Sequence, residues 1–273
     1  MNILVCLGGI KEDVTEVALA GKIALSLGAE LTLLYVKPET YYGHKRLGFP
    51  KEEKSSEDIL KNAESSLKRE GVYEVRTVVR SGNPVEEILK ESEKGYDLVI
   101  TGRRELRVTA QFLLESVSRE VAMYADVPVF VVKKDILPKK ILICTDGSEY
   151  STQAEYCGGY LARKFKAGAT LFAVAPVEEL VPYARESLEK GKKILKEVFE
   201  IEPGTKLRSD DVVESIVGES KDYDLVVLGS RGLSKIKRLL MGHVSLLVLE
   251  EAGTNVLIVR KCPFFREEEG SLD

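Results

Sequence analysis

The chain repeats itself. NILVCLGGIKED from Asn2 is answered by KILICTDGSEYS from Lys140, and LTLLYVKPET from Leu31 by ATLFAVAPVEE from Ala169. YDLVITGRRE from Tyr96 is answered by YDLVVLGSRG from Tyr223, and VPVFVVKK from Val127 by TNVLIVRK from Thr254. Four matches in the same order mark a duplicated unit. A length of 273 residues fits two domains. The short join at Asp135–Lys139 puts the boundaries at 1–134 and 139–262, with 263–273 as a flexible acidic tail.

Within each half the apolar spacing predicts a strand and then an amphipathic helix, about Val14 to Leu27 and Ser151 to Phe165. A second strand follows, then a charged helix over 57–70 or 178–199, then a third strand. That strand is VRTVVR from Val75 in the first half; in the second it is the least clear element, placed near Lys206. A helix over Val85–Glu93 or Val212–Lys221 precedes the fourth strand, and a last helix leads to the fifth. Strands that are nearly continuous Val, Ile and Leu are buried on both faces, so each half is an α/β unit with a parallel sheet covered by helices. Right-handed crossovers make it doubly wound. The chain is then two doubly wound five-stranded parallel sheets, and ligands are expected beyond the carboxyl ends of strands one and four. The polar segment 41–56 has no counterpart of equal length and reads as a surface loop.

Composition removes several classes. A net charge of −4, from 40 basic and 44 acidic residues, argues against a general nucleic-acid binder. No apolar run reaches the ~20 residues that span a bilayer, and the start lacks a basic leader, which predicts no membrane association and a cytoplasmic location. The cysteines, Cys6, Cys144, Cys157 and Cys262, form no C-x-x-C pair. They read as small buried hydrophobes, with a redox role as the lesser alternative.

The chemistry concentrates in LGSRGLSKIKRLLMGHVS, Leu228 to Ser245. Gly229 directly follows an apolar strand, where a missing Cβ lets the backbone turn and approach an anion. Gly242, His243, Val244 and Ser245 open a helix whose first N–H groups are unpaired and favour negative charge. Ser245 and His243 add side-chain donors; Arg231, Lys235, Lys237 and Arg238 add positive charge. Strand, glycine turn, basic loop and helix start together suit a phosphate, although neither a Walker A loop nor a G-x-G-x-x-G fingerprint is present. Turn-and-cap duty alone is the competing reading. After the first strand of the second half stands Thr145-Asp146-Gly147-Ser148. Asp146 suits a ribose hydroxyl or a phosphate-bound metal there; its alternative is to cap a helix, as is that of Ser148.

These residues resemble the universal stress proteins in their tandem form, over about 2–134 and 139–261. The family's nucleotide-binding pattern G-x2-G-x9-G-[ST] is matched by Gly229, Gly232 and Gly242, with His243 in place of the usual hydroxyl residue and Ser245 at the downstream phosphate position. The resemblance places the family's Asp on Asp146 and its adenine-holding backbone near Ala173–Ala175, centred on Val174. It implies a fold like the adenine nucleotide alpha hydrolases, and an intrachain pseudo-dimer in which the fifth strands, Val127–Val132 and Asn255–Val259, pair antiparallel and hide two apolar edges. The first half departs from the pattern: Gly8, Glu105 and Glu115 answer Asp146, Gly232 and Gly242. Carboxylates there repel phosphate by about 1 kcal/mol or more each. The first half keeps SGNPVEEIL, with Gly82, Pro84 and Ile88, where the second has Asp210 and Asp211, a change that reshapes the second site.

The resulting expectation is a stress-response regulator that binds ATP or AMP, with Mg²⁺ as companion, in its second domain and turns over little or nothing. The alternatives are a nucleotide-free scaffold with both sites degenerate, and a slow ATPase, which the lack of an evident nucleophile or general base disfavours. A homodimer and protein partners complete the expected associations.

Overall fold

The computed structural model describes residues 1–8, 14–38, 55–102, 111–231 and 242–264. The first half runs β1 (Asn2–Leu7), α1 (Val14–Leu27), β2 (Glu30–Pro38), α2 (Ser56–Arg69), β3 (Val75–Gly82), α3 (Pro84–Ser92), β4 (Leu98–Gly102), α4 (Gln111–Tyr124) and β5 (Val129–Val132). The second half repeats the series as β6 (Lys140–Cys144), α5 (Glu149–Phe165), β7 (Gly168–Val174), α6 (Val181–Phe199), β8 (Gly204–Arg208), α7 (Val212–Glu219), β9 (Leu225–Gly229), α8 (His243–Glu251) and β10 (Asn255–Val259). The doubtful strand near Lys206 is β8.

The strands form one sheet in the order β3-β2-β1-β4-β5-β10-β9-β6-β7-β8. Each half has the order third-second-first-fourth-fifth, which reverses between its first and fourth strands and leaves a crevice beyond their carboxyl ends. All neighbours are parallel except β5 and β10, which pair antiparallel with Phe130 opposite Leu257. The two sheets are therefore fused through the strands expected to meet. Each of these strands is fully buried, and an exposed apolar edge is a template for aggregation.

Side chains alternate across the sheet, and both faces are covered. Ile3, Val5, Leu33, Ile100, Ile143 and Leu171 pack under α1, α2, α5 and α6. Leu4, Val99, Val131, Leu142, Val226 and Val256 pack under α3, α4, α7 and α8. Each apolar layer runs without interruption from one half into the other. At about 2 kcal/mol per fully buried Val, Leu or Ile side chain, this burial is the main source of stability.

Two devices recur in both halves. Glu91, at the end of α3, pairs with Arg80 of β3 at 2.7 Å and with Lys94 at 2.8 Å. Glu219, at the end of α7, pairs with Arg208 of β8 at 3.1 Å and with Lys206. Burial pushes both carboxyls up, but the hydrogen bonds from these cations outweigh it and hold them below the usual carboxylate range. Across the fused edge, Lys133 Nζ donates to the carbonyls of Leu249 at 2.6 Å and Ala252 at 2.5 Å, capping α8. Its counterpart Arg260 donates to Met123 O at 2.6 Å, capping α4. A cation at a helix carboxyl end satisfies unpaired carbonyls and opposes the helix dipole.

Several boundaries differ from the expected ones. α5 starts at Glu149 because Ser148 caps it. The stretch 178–199 opens with a 3₁₀ turn, Glu178–Leu180, before α6, and α7 gives way to another at Ser220–Asp222. Ser55 forms a capping box with Asp58, so α2 claims the last residue of the segment expected as a loop over 41–56. Residues 41–54 of that loop, and the tail from 265, lie outside the described residues.

Candidate functional site

Three chain segments meet beyond β6 and β9. The first follows β6. Thr145 is buried and its N–H donates to Phe172 O at 2.9 Å, which holds the segment to β7. Asp146 Oδ1 accepts from Ser148 N at 3.0 Å, closing a tight turn, and Ser148 Oγ accepts from Ser151 N at 3.2 Å. The two expected caps are thus used in series: Asp146 shapes the turn and Ser148 caps α5. Between them Gly147 has φ +75°, and a Cβ there would lie 2.5 Å from Ser187 Oγ on α6. Only glycine meets both conditions.

The second segment is the end of β7. Phe172 O faces β6, so the peptide groups of residues 172 and 174 point that way, while Ala175 N–H faces β8 and donates to Arg208 O at 2.8 Å. Cys144 is opposite Phe172, so β6 has ended by the level of Val174. The N–H and C=O of Val174 therefore point over the Asp146 turn into the crevice. Of the residues expected to offer backbone to a base, Ala175 commits its N–H to Arg208 O.

The third segment follows β9. A Cβ on Gly229 would lie 2.6 Å from Tyr150 C and 2.7 Å from Tyr150 O. Gly229 therefore serves close packing of β9 on the first turn of α5, where the sequence had suggested approach to an anion. Ser230 N–H donates to Val259 O, and Gly242 N–H to Ser230 O, each at 2.7 Å. The second bond closes the base of the motif loop and commits the Gly242 N–H. Past it, α8 begins with Gly242 as an N-cap that makes no side-chain bond. The N–H groups of His243, Val244 and Ser245 belong to the first turn, which has no intrahelical acceptor for them. The Ser245 hydroxyl, expected as a donor to phosphate, donates instead to Gly229 O at 2.7 Å. His243 is exposed on the same turn. Arg231 lies over the Tyr150 ring, 5.6 Å from its centroid, which tethers its charge at the mouth.

Gly232, Lys235, Lys237 and Arg238 lie outside the described residues, as does Glu105. Asp211 caps α7 by accepting from Glu214 N at 2.9 Å, and Asp210 accepts from Asp211 N at 2.8 Å. This acidic pair serves local turn geometry.

Two residues at the crevice escaped the sequence reading. Glu155, 2% exposed, sits on α5 one turn after Ser151. Burial pushes its carboxyl up to about 7, the Thr145 hydroxyl hydrogen-bonded to it pulls it down, and Asp146 adds to the rise. An acid on the inward face of an otherwise apolar and small-residue helix stripe was the available signal. Ser230 Oγ is buried without a hydrogen-bond partner; nothing in the sequence separates it from a turn serine.

No helix of the described residues is long and apolar enough to cross a membrane. A protein-family model described as the universal stress protein family matches the chain twice, over 1–133 and 138–260. A universal stress protein of Synechocystis is 26% identical over 262 residues, 92% of this chain and 85% of the relative. One of Methanocaldococcus jannaschii is 31% identical over 144 residues, 46% of this chain and 84% of the relative. The crystal structure of a universal stress protein from Archaeoglobus fulgidus superposes with a TM-score of 0.74 at 19% identity, covering 96% of this chain and 97% of that one. The chain belongs to the universal stress protein family, in its tandem two-domain form.

Proposed function

We propose that the second half, 139–262, binds an adenine nucleotide in the crevice beyond β6 and β9, and that the first half, 1–134, carries a degenerate copy of the site. One observation carries this reading: the backbone of Val174, the Asp146 turn and the first-turn N–H groups of α8 converge at one switch point. Their chemistry fits the three parts of the ligand. Val174 offers a donor and an acceptor to the edge of a base. Asp146 offers an acceptor to ribose hydroxyls. The N–H groups of His243, Val244 and Ser245, with Arg231 beside them, offer donors and positive charge to phosphates. ATP or AMP fits, with Mg²⁺ accompanying ATP on its phosphates. Gly229 and Gly242 support the arrangement by packing β9 against α5 and bonding the start of α8 to Ser230.

Turnover is slow or absent in this reading. The crevice holds binding groups, and the neutral-range acid Glu155 is buried behind Thr145, away from solvent. The protein then acts as a nucleotide-responsive regulator in the cytoplasm during stress, and protein partners or a homodimer read its state.

Calorimetric titration of ATP with Mg²⁺, and separately of AMP, tests this. One site per chain is expected in the wild type, and none in Gly242→Glu, which copies Glu115. No heat and no thermal shift with either nucleotide would replace the reading with a nucleotide-free scaffold. The engaged Ser245 hydroxyl and Gly242 N–H are the observations that favour that second reading.

A further inference from the structure

We propose that Cys157 and Cys262 form an intrachain disulfide on exposure to a peroxide, fastening the segment after β10 to α5. Cys157 lies in α5 and is wholly buried; Cys262 follows β10 and is 5% exposed. Burial, and then the adjoining Cys262 thiol, push the Cys157 thiol up. Their juxtaposition is part of a longer contact. Cys262 N–H donates to Gln153 Oε1 at 2.8 Å. The Phe264 ring meets Tyr160 with centroids 5.2 Å apart. Gln153, Cys157 and Tyr160 are spaced i, i+4 and i+7, so they form one stripe of α5, and residues 262–264 lie along it. The first half fills the equivalent place differently, with Asp135 after β5 paired to Lys22 of α1 at 2.9 Å.

The other cysteines are internal controls. Cys6 and Cys144 sit in the apolar layer on the opposite face of the sheet, on strands separated by β4, β5, β10 and β9. They can reach neither each other nor the pair.

The reaction balances with one peroxide. The Cys262 thiolate attacks a peroxide oxygen and the O–O bond breaks. The sulfur becomes a sulfenic acid, and the departing hydroxide takes the thiol proton as water. The Cys157 thiolate then attacks the sulfenic sulfur; the S–S bond forms, the S–O bond breaks, and the second thiol proton leaves in a second water. Burial and the neighbouring Cys262 thiol keep Cys157 protonated. Oxidation therefore waits for brief opening of the segment after β10, and Cys262 reacts first because it lies nearer the surface.

The test is peroxide treatment of the full chain, alkylation of free thiols, and mass spectrometry of intact protein and peptides. The expected product has lost two hydrogens. It contains one linked peptide pair bearing Cys157 and Cys262, returns to the dithiol with a reductant, and leaves Cys6 and Cys144 alkylatable after unfolding. Closing a loop of about 100 residues should raise the thermal midpoint on the order of 10 °C, and Cys262→Ser should remove that rise. Cys262→Ser lies near the chain's end, and the wild-type mapping does not depend on any variant folding. Four alkylatable thiols after treatment, linkage through Cys6 or Cys144, or oxygen addition at Cys262 without linkage would each overturn the proposal.

Discussion

Ser118 in the first half and Ser245 in the second make the same bond: each hydroxyl donates 2.7 Å to the carbonyl of the glycine that ends the fourth strand, Gly102 or Gly229. The first half keeps this bond while having Glu115 where the second has Gly242. A motif residue retained where the motif has decayed belongs to the fold before it belongs to a ligand. The same holds for Glu91 and Glu219, each anchoring an arginine of its third strand. At the motif positions the halves differ in sequence: Leu7 and Gly8 against Thr145 and Asp146, Glu115 against Gly242, and Ser116 against His243.

The sharpest way to break this contrast is to make the halves alike. Gly242→Glu puts a carboxylate at the mouth of α8, the helix proposed to receive phosphate. A like charge at a few ångströms costs a few kcal/mol, so the ATP dissociation constant should rise ~100-fold or more. Calorimetry reads this, and an unchanged constant would move the site elsewhere. The glycines ending the fourth strands give the next contrast. Gly229→Ala drives a Cβ into the backbone of α5, which cannot yield locally, and about 3 kcal/mol of stability should be lost. The nearest atoms to a Cβ on Gly102 belong to a side chain, that of the buried Glu16, and not to backbone, so Gly102→Ala should cost less, about 1–2 kcal/mol. Urea denaturation ranks the two, and equal losses would refute the assignment of Gly229 to packing.

Glu155 has no acidic counterpart at Val17 of the first half. Its carboxyl is raised from 4.5 to about 7, chiefly by burial. Between those values the native state holds a proton that the unfolded chain has released. Stability from this group is therefore full below pH 4.5 and declines as pH rises through 7. Glu155→Gln should add about 2 kcal/mol at pH 8 and nearly nothing at pH 4.5. Denaturation at both pH values checks it, and an equal change at both would remove the titration from the account. The smallest effect is the symmetrical one. Ser118→Ala and Ser245→Ala should each cost about 1 kcal/mol, by the same denaturation. If only the second loses nucleotide affinity as well, the hydroxyl has a ligand role beyond its bond to Gly229.

Much of this architecture could be read from the chain. The continuous apolar strands and the four repeated segments mark a buried parallel sheet made twice, and the apolar fifth strands imply that their edges must be covered. Helix ends were less visible because capping chooses them: Ser148 sets the start of α5 at Glu149, ahead of the Ser151 that apolar spacing suggests, while α7 starts at Val212 as expected. The crevice was visible as a set of residue types, while each atom's bonding remained hidden. Gly229 signals close approach, and sequence alone does not say whether to a phosphate or to Tyr150. Ser245 signals a donor and does not name its acceptor. Cys157 and Cys262 are separated by more than a hundred residues, and only the return of the chain past β10 brings their sulfurs together.

The crossed caps of Lys133 and Arg260 have a consequence for how the molecule can change. Each half finishes a helix of the other, so the partners are obligatory and always present in equal number. In a pair of identical chains every substitution is made twice, and a gain at one copy is a gain at both. Here one substitution is made once. Lys133 and Arg260 already do the same work with different side chains, and the crevices have the same liberty: one is free to drift while its twin keeps its groups.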